Sequence, residues 1–371
     1  MKTAIIMPVL NPDHKMTDFL DSLLEAGFKD IIIVNDGSKA ETVHHFEEAA
    51  KHPEVTVLTH EVNRGKGAGL KTAFSYLAAN RPDIDGAVTV DGDGQHDVNS
   101  INNCLAKFET DPHAMVIGGR DFDDPSVPPR SKAGNKISRV VYRFACGIKL
   151  NDTQTGLRVI PAEYFEKFST LKGDRYEYET NMLIALVNMN IPYTEVPIKT
   201  IYIDDNASSH FNTFKDSFKI YKLVLANFFK FILASISSWL VDIGFFALTG
   251  LILDKFFPAV STGYLHLLYD VSLRVIICTV VARVISSFFN FMINRKTVFK
   301  STDNFGSTVG RYYILAVCQL LASMLLVDLF ADKLLGIKGA LQTVVKCVVD
   351  LILFLVSYNI QRKWVFKNKK A

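Results

Sequence analysis

The sequence predicts an α/β domain followed by an α-helical four-span transmembrane domain. Residues 1–222 mix charge and apolar residues as a water-soluble domain does, alternating short β-branched runs with helix-length amphipathic segments, the pattern of a parallel sheet with crossover helices. From Leu223 to Ile360 apolar runs dominate and charges retreat to short clusters. At 371 residues the chain is long enough for about two domains, so its averages of 49% hydrophobic and 21% charged residues blend two different solvents. A net charge of +3 without a block of like charges argues against a nucleic-acid partner. The five cysteines are scattered, odd in number and lack CxxC spacing, which favours reduced thiols in a cytosolic compartment over disulfides or a zinc site.

In chain order, the first strand falls at residues 3–10. Its apolar run of about eight residues is interrupted by Pro8 and followed by no small-residue cleavage site, so it reads as a buried strand and not as a signal peptide. Further strands are expected at 30–34, 55–61, 86–90 and 115–118, with helices beginning near Lys15, Glu41, Lys66 and Asp97 and another over 132–145. Ligands of such sheets sit outside the carboxyl ends of the strands, which directs attention to residues 11–13, 35–38 and 91–95. Over 214–227, Phe214, Phe218, Tyr221 and Leu225 share one helical face and Lys215, Lys219 and Lys222 another; this fits a helix lying on an anionic membrane, or a solvated helix packed on its own domain. The soluble domain is thus placed at 1–213 and the membrane domain at 228–371.

Four stretches near the ~20 residues a bilayer requires follow at 228–252, 271–293, 311–330 and 340–360. The second connection carries Arg295, Lys296, Lys300 and Arg311 against Asp303, and the tail carries Arg362, Lys363, Lys367, Lys369 and Lys370 against no acid, so the positive-inside rule puts both termini in the cytoplasm. The segment from Ile293 to Lys300 (INRKTVFK) is echoed from Ile360 to Lys367 (IQRKWVFK), which suggests a duplicated helical hairpin. Asp242, Arg283, Lys346 and Asp350 fall inside the spans, where charges imply helix-locking ion pairs or a polar path.

Chemistry concentrates at Asp91-Gly92-Asp93-Gly94-Gln95-His96. Two carboxylates two residues apart, just past a buried strand, can hold a hard divalent cation against a diphosphate; an unliganded acidic turn is the alternative. An EF-hand is excluded, because Gln95, His96 and Asn102 stand where that loop needs other residues. At Asn35-Asp36-Gly37-Ser38 an acid past a strand suits a ribose or base edge. Asn63-Arg64-Gly65-Lys66-Gly67 opens a helix in a manner suited to a phosphate or nucleotide, although it matches neither the Walker pattern nor GxGxxG.

Together with Met7-Pro8-Val9-Leu10-Asn11 and Asp152-Thr153-Gln154-Thr155-Gly156-Leu157-Arg158, these motifs resemble, in order, family 2 glycosyltransferases. The resemblance spans about residues 3–220 and is greatest to polyprenyl-phosphate sugar synthases of the dolichol-phosphate mannose synthase type; the membrane half resembles GtrA-like four-helix domains. It implies a GT-A (Rossmann-like) fold and inverting transfer of a hexose from a UDP- or GDP-sugar to polyprenyl phosphate, undecaprenyl phosphate in a bacterium, on the cytoplasmic leaflet of the cell membrane. It further implies that Pro8, Asn11, Asp36 and Lys66 contact the nucleotide, that Asp91, Asp93 and Gln95 place Mg²⁺ or Mn²⁺ on the diphosphate, and that Arg120 and Arg130 hold the acceptor phosphate with Arg158 in support. A tetramer formed through the membrane half follows from family analogy alone.

The basic stripe of Lys132, Lys136, Arg139 and Arg143 fits a solvated face or anionic lipid as well as a specific site. Glu177 and Glu179 lie at a helix start, where the dipole favours acids in any case; the resemblance, which often has a Glu here, leaves a catalytic role as the alternative. One departure stands out. Dolichol-phosphate mannose synthases usually carry an Arg and a Ser-Lys pair after the last strands, whereas residues 205–211 here read DNASSHF, which leaves donor identity and any role of His210 open. Two other functions compete: a processive polysaccharide synthase, disfavoured because QxxRW is missing, and a lipid-linked sugar flippase or scaffold whose first domain only binds nucleotide.

Overall fold

The computed structural model describes residues 1–92, 94, 96–125, 127–199, 213–266, 270–336 and 340–367. The chain divides into two compact units, Met1–Val224 and Leu225–Ala371.

The first unit runs β1 (Thr3–Val9), α1 (His14–Glu25), β2 (Ile31–Asn35), α2 (Val43–Ala49), β3 (Val55–Thr59), α3 (Lys66–Asn80), β4 (Gly86–Thr89), α4 (Val98–Thr110), β5 (Met115–Arg120), α5 (Pro129–Ala145), β6 (Arg158–Pro161), α6 (Phe165–Ser169), α7 (Glu177–Asn188), β7 (Tyr193–Ile198) and α8 (Thr213–Val224). The seven strands form one sheet in the order β3-β2-β1-β4-β6-β5-β7. β1, β2, β3 and β4 are parallel, with Ile5 opposite Ile31 and Val88, whereas β6 runs antiparallel to both β4 and β5. The sheet is therefore mixed, not purely parallel as the sequence pattern implied. β6 escapes pattern recognition because four fully buried residues, RVIP, show no alternation. β7 does so because it contains Glu195 and Pro197, residues depleted from strands.

The central strands are apolar on both faces because helices cover both. On one side Ile5, Met7, Ile31, Ile33, Val88 and Val159 pack with Phe19, Leu20 and Leu23 of α1 and Ile101, Cys104 and Phe108 of α4. On the other, α3 lies across β1 and β2, and its Phe74 stacks on Phe165 at the head of α6 at 5.6 Å between centroids. Since β1, β2, β4 and β5 share a direction, their exits at Asn11, Asp36, Asp91 and Arg120 meet along one edge of the sheet. The loop leading into antiparallel β6 reaches the same edge. α8 packs against α5 and α7, and Ser138 and Tyr221 share a hydroxyl–hydroxyl hydrogen bond of 2.8 Å.

The second unit comprises α9 (Ala226–Phe256), α10 (Pro258–Ser261), the strand pair β8 (Tyr264–His266) and β9 (Asp270–Ser272), α11 (Leu273–Ile293), α12 (Phe305–Val327) and α13 (Ala340–Ile360). Four helical stretches, 226–256, 273–298, 305–331 and 342–365, are long and apolar enough to cross a membrane. α9 packs on α11 and α12 on α13, giving two hairpins. The two copies of the basic repeat end α11 and α13 in matching π-helical turns, Asn294–Val298 and Gln361–Val365. Corresponding residues meet there: Asn294 Nδ2 donates to Gln361 Oε1 at 3.3 Å, and the Phe299 and Phe366 rings stack at 5.1 Å. Four of the charges within the spans are paired, Asp242 with Arg283 at 3.7 Å and Lys346 with Asp350 at 2.8 Å.

Candidate active site

At the sheet edge one ammonium sits between two carboxylates. Lys66, the first residue of α3, lies with Nζ 2.6 Å from Asp91 Oδ1 and 3.0 Å from Glu179 Oε1. The three side chains are only 21%, 32% and 16% exposed. Burial by itself would lower the Lys66 pKa, but Asp91 and Glu179 outweigh it and raise the ammonium above the ordinary lysine range. Burial would likewise raise Asp91, yet Lys66 and then His96 hold its carboxyl well below the usual carboxylate range.

The other oxygen of Asp91 faces a cradle. A Cβ on Gly156 would come within 2.6 Å of Asp91 Oδ2, so a glycine keeps that oxygen approachable. The Thr89 hydroxyl donates to Gly156 O at 2.7 Å and fixes this loop to the end of β4. His96 Nε2 is buried, has no hydrogen-bond partner among the described residues and lies 3.8 Å from Asp91 Oδ2. An approachable carboxylate oxygen suits a hard cation such as Mn²⁺ or Mg²⁺. Among the described residues no group of three such ligands forms. Asp93 and Gln95 lie outside the described residues, as do residues 205–211 with His210.

Asp36 is 3% exposed, and its carboxylate is engaged inside the protein. Oδ1 accepts from His60 Nδ1 at 2.7 Å and from the Arg64 amide at 2.9 Å, and Oδ2 accepts from the Gly65 amide at 2.7 Å. His60 Nε2 in turn meets the Thr72 hydroxyl at 2.9 Å. Asp36 thereby folds the turn that delivers Lys66. The glycines of that turn serve close packing. Gly65 has φ +102°, and a Cβ there would lie 2.4 Å from Asp174 O. The Ala68 amide in the first turn of α3 donates to the same Asp174 carbonyl at 2.9 Å, so protein already meets one of the donors that a helix start offers to a phosphate.

The remaining sequence-derived residues divide by accessibility. Asn11, at φ +51°, is exposed; its Oδ1 accepts from the Lys39 amide at 2.9 Å, and its amide donates to Ser38 Oγ at 2.8 Å. Pro8 lies opposite Val34 and against Gly69. The Arg120 guanidinium forks onto buried Asp152, Nε to Oδ2 at 2.6 Å and Nη2 to Oδ1 at 3.3 Å. Arg158 is 1% exposed, and its donors reach the carbonyls of Thr155 at 3.1 Å and Glu179 at 2.9 Å. The structure thus places Arg158 beneath the site, where it ties the loop before β6 to the first turn of α7. Of Arg130 only the backbone is described, in the first turn of α5.

The sequence did not reveal His60 or the pairing of Lys66 with Glu179, and it gave His96 and Gly156 only as members of their motifs, without a role. His60 was findable, since it directly follows β3 just as Asp36 follows β2.

Residues 4–169 match the model of glycosyl transferase family 2, and residues 256–366 match that of the GtrA/DPMS transmembrane domain. The chain is 30% identical over 229 residues to an uncharacterized protein of Methanocaldococcus jannaschii, an alignment covering 61% of this chain and 92% of that one. It is 30% identical over 222 residues to the UDP-N-acetylglucosamine–dolichyl-phosphate N-acetylglucosaminyltransferase of Methanococcus voltae, with 54% and 86% of the two chains covered. A dolichyl-phosphate beta-glucosyltransferase of Dictyostelium discoideum is 27% identical over 252 residues, with 62% and 75% covered. The chain belongs to glycosyl transferase family 2: it is a membrane glycosyltransferase with a GT-A-type α/β unit and a GtrA-like helical unit.

Proposed function

We propose that this enzyme transfers a hexose from a UDP- or GDP-sugar to polyprenyl phosphate, with inversion at the anomeric carbon, to give a polyprenyl-phosphate monosaccharide for cell-envelope glycosylation. The observation that carries the reading is the Lys66–Asp91–Glu179 cluster at the carboxyl edge of the sheet, beside an approachable Asp91 oxygen. Dolichyl-phosphate acceptors in the names of two relatives, and a helical unit that keeps the enzyme at the lipid, support it.

Asp91, together with Asp93 and Gln95 of the same sequence motif, would hold Mg²⁺ or Mn²⁺. Such an ion neutralises charge on the departing nucleoside diphosphate. The protein's own part is positioning and electrostatics. Asp36 holds the turn that carries Lys66; Pro8 and Asn11 line the strand exit where the nucleotide would lie; Arg120, oriented by Asp152, and Arg130 would meet the acceptor phosphate. That phosphate is anionic near neutral pH and needs no general base. The basic second connection and tail support, by the positive-inside rule, an orientation with the α/β unit and both termini in the cytoplasm, where nucleotide sugars are found.

Reconstitution in vesicles with undecaprenyl phosphate, a panel of UDP- and GDP-sugars and Mn²⁺ tests the reading. A lipid-linked monosaccharide supports it. A polymer would indicate a processive synthase, and movement of lipid-linked sugar between leaflets without synthesis would indicate a flippase.

A further inference from the structure

The position of Lys66 bears on how a cation enters the site. Its ammonium lies 2.6 Å from Asp91 Oδ1, and an ammonium and a divalent cation repel one another at such range. If Asp91 were the only anion in reach, a displaced ammonium would be left half-buried and unpaired, a costly state. Glu179 Oε1, at 3.0 Å, removes that cost. It approaches the ammonium from a different element, α7, whose backbone is tied down by Arg158 through the Glu179 carbonyl. Lys66 itself has little freedom to leave, because Gly65 and Gly67 are clamped against Asp174, Arg175 and Tyr178.

We propose that Lys66 and the divalent cation compete for Asp91 and that Glu179 is the positioning residue that receives the ammonium when the cation binds. Without the cation the three side chains carry one excess negative charge and repel a diphosphate; with it they carry one excess positive charge and attract one. The exchange makes cation binding precede donor binding. This inference rests on the reading of Asp91 as a cation ligand.

The test is Mn²⁺ affinity of the full-length enzyme in detergent without nucleotide, read from loss of the free-ion electron paramagnetic resonance signal. Lys66→Met, and Lys66→Gln as a polar second variant, should tighten Mn²⁺ binding about tenfold, the low end of the coupling between close charge pairs. Glu179→Gln should weaken it several-fold, because the ammonium then has only Asp91. Unchanged or weaker binding in both Lys66 variants, or unchanged binding in Glu179→Gln, would overturn the exchange while leaving Asp91 as a ligand. Wild-type Mn²⁺ affinity in Asp91→Asn would overturn the ligand reading and the exchange together.

Discussion

Replacing Asp36 with Asn separates a scaffold role from a ligand role. The carboxylate accepts three internal hydrogen bonds at 2.7–2.9 Å, two of them from the backbone of the Arg64–Gly65 turn. An asparagine oxygen can take over the Oδ1 side and keep His60 and Arg64. Its amide then confronts the Gly65 N–H, donor against donor, in a site where the native side chain is 4% exposed. A buried donor left without an acceptor costs about 1–3 kcal/mol, and loss of the charge weakens the two retained bonds, so a total of about 3 kcal/mol is expected. For a unit of this size each kcal/mol lowers the midpoint by roughly 2–4 °C, which places the drop near 8 °C. Scanning calorimetry of the full-length enzyme in detergent, without nucleotide, reads it directly. If the ligand-free transition stays where it was and only the stabilisation conferred by a nucleoside diphosphate is lost, Asp36 faces the donor and the scaffold argument is wrong.

Gly156→Ala should reduce transfer at least tenfold while circular dichroism stays native, since the added methyl would stand 2.6 Å from Asp91 Oδ2; activity within twofold of wild type would show that this oxygen is not used. Burial pushes the Cys104 thiol up to about 12, so at pH 8 maleimide should leave it unlabelled in the folded enzyme and label it in urea, as read by peptide mass spectrometry. The depressed Asp91 contributes stability that is present above its unfolded value of roughly 3.9 and is lost as pH falls through its folded value; the raised Lys66 contributes stability present below roughly 10.4 and lost as pH rises through its folded value. The difference in melting temperature between wild type and Lys66→Met should therefore be flat from about pH 5 to 9 and shrink in acid below pH 4. A step near neutral pH would point to another titrating group.

Strands whose burial shows as β-branched runs were legible in the sequence, and so were the polar exits that follow them: β1 to β5 and the positions of Asn11, Asp36 and Asp91 emerge from periodicity alone. The membrane spans were equally plain, because the bilayer fixes both their length and their composition. β6 and β7 were not, since a four-residue buried strand and one containing proline and glutamate lack a readable period. Within the site the residue types were legible but their partners were not. Asp36 after a strand looks the same whether it meets a ribose or its own turn, and only the fold brings His60 and Gly65 to it. The glycines around Lys66 suggested phosphate, and the fold adds a second reason for them, close packing of the 173–178 segment. Arg158 shows the same limit: a motif position gives the residue, while burial against Thr155 and Glu179 decides what it touches.

The central claim is that Asp91 anchors a sugar transfer to lipid phosphate, and one measurement addresses it most directly: organic-phase radioactivity after incubating vesicles that hold the full-length enzyme, undecaprenyl phosphate and Mn²⁺ with labelled UDP- and GDP-sugars, for wild type and Asp91→Asn in parallel. Label from one donor in a product of a single sugar on the lipid, abolished by Asp91→Asn in a protein that still folds, is the predicted result. No lipid-linked product from any donor, or equal product from Asp91→Asn, would contradict the account.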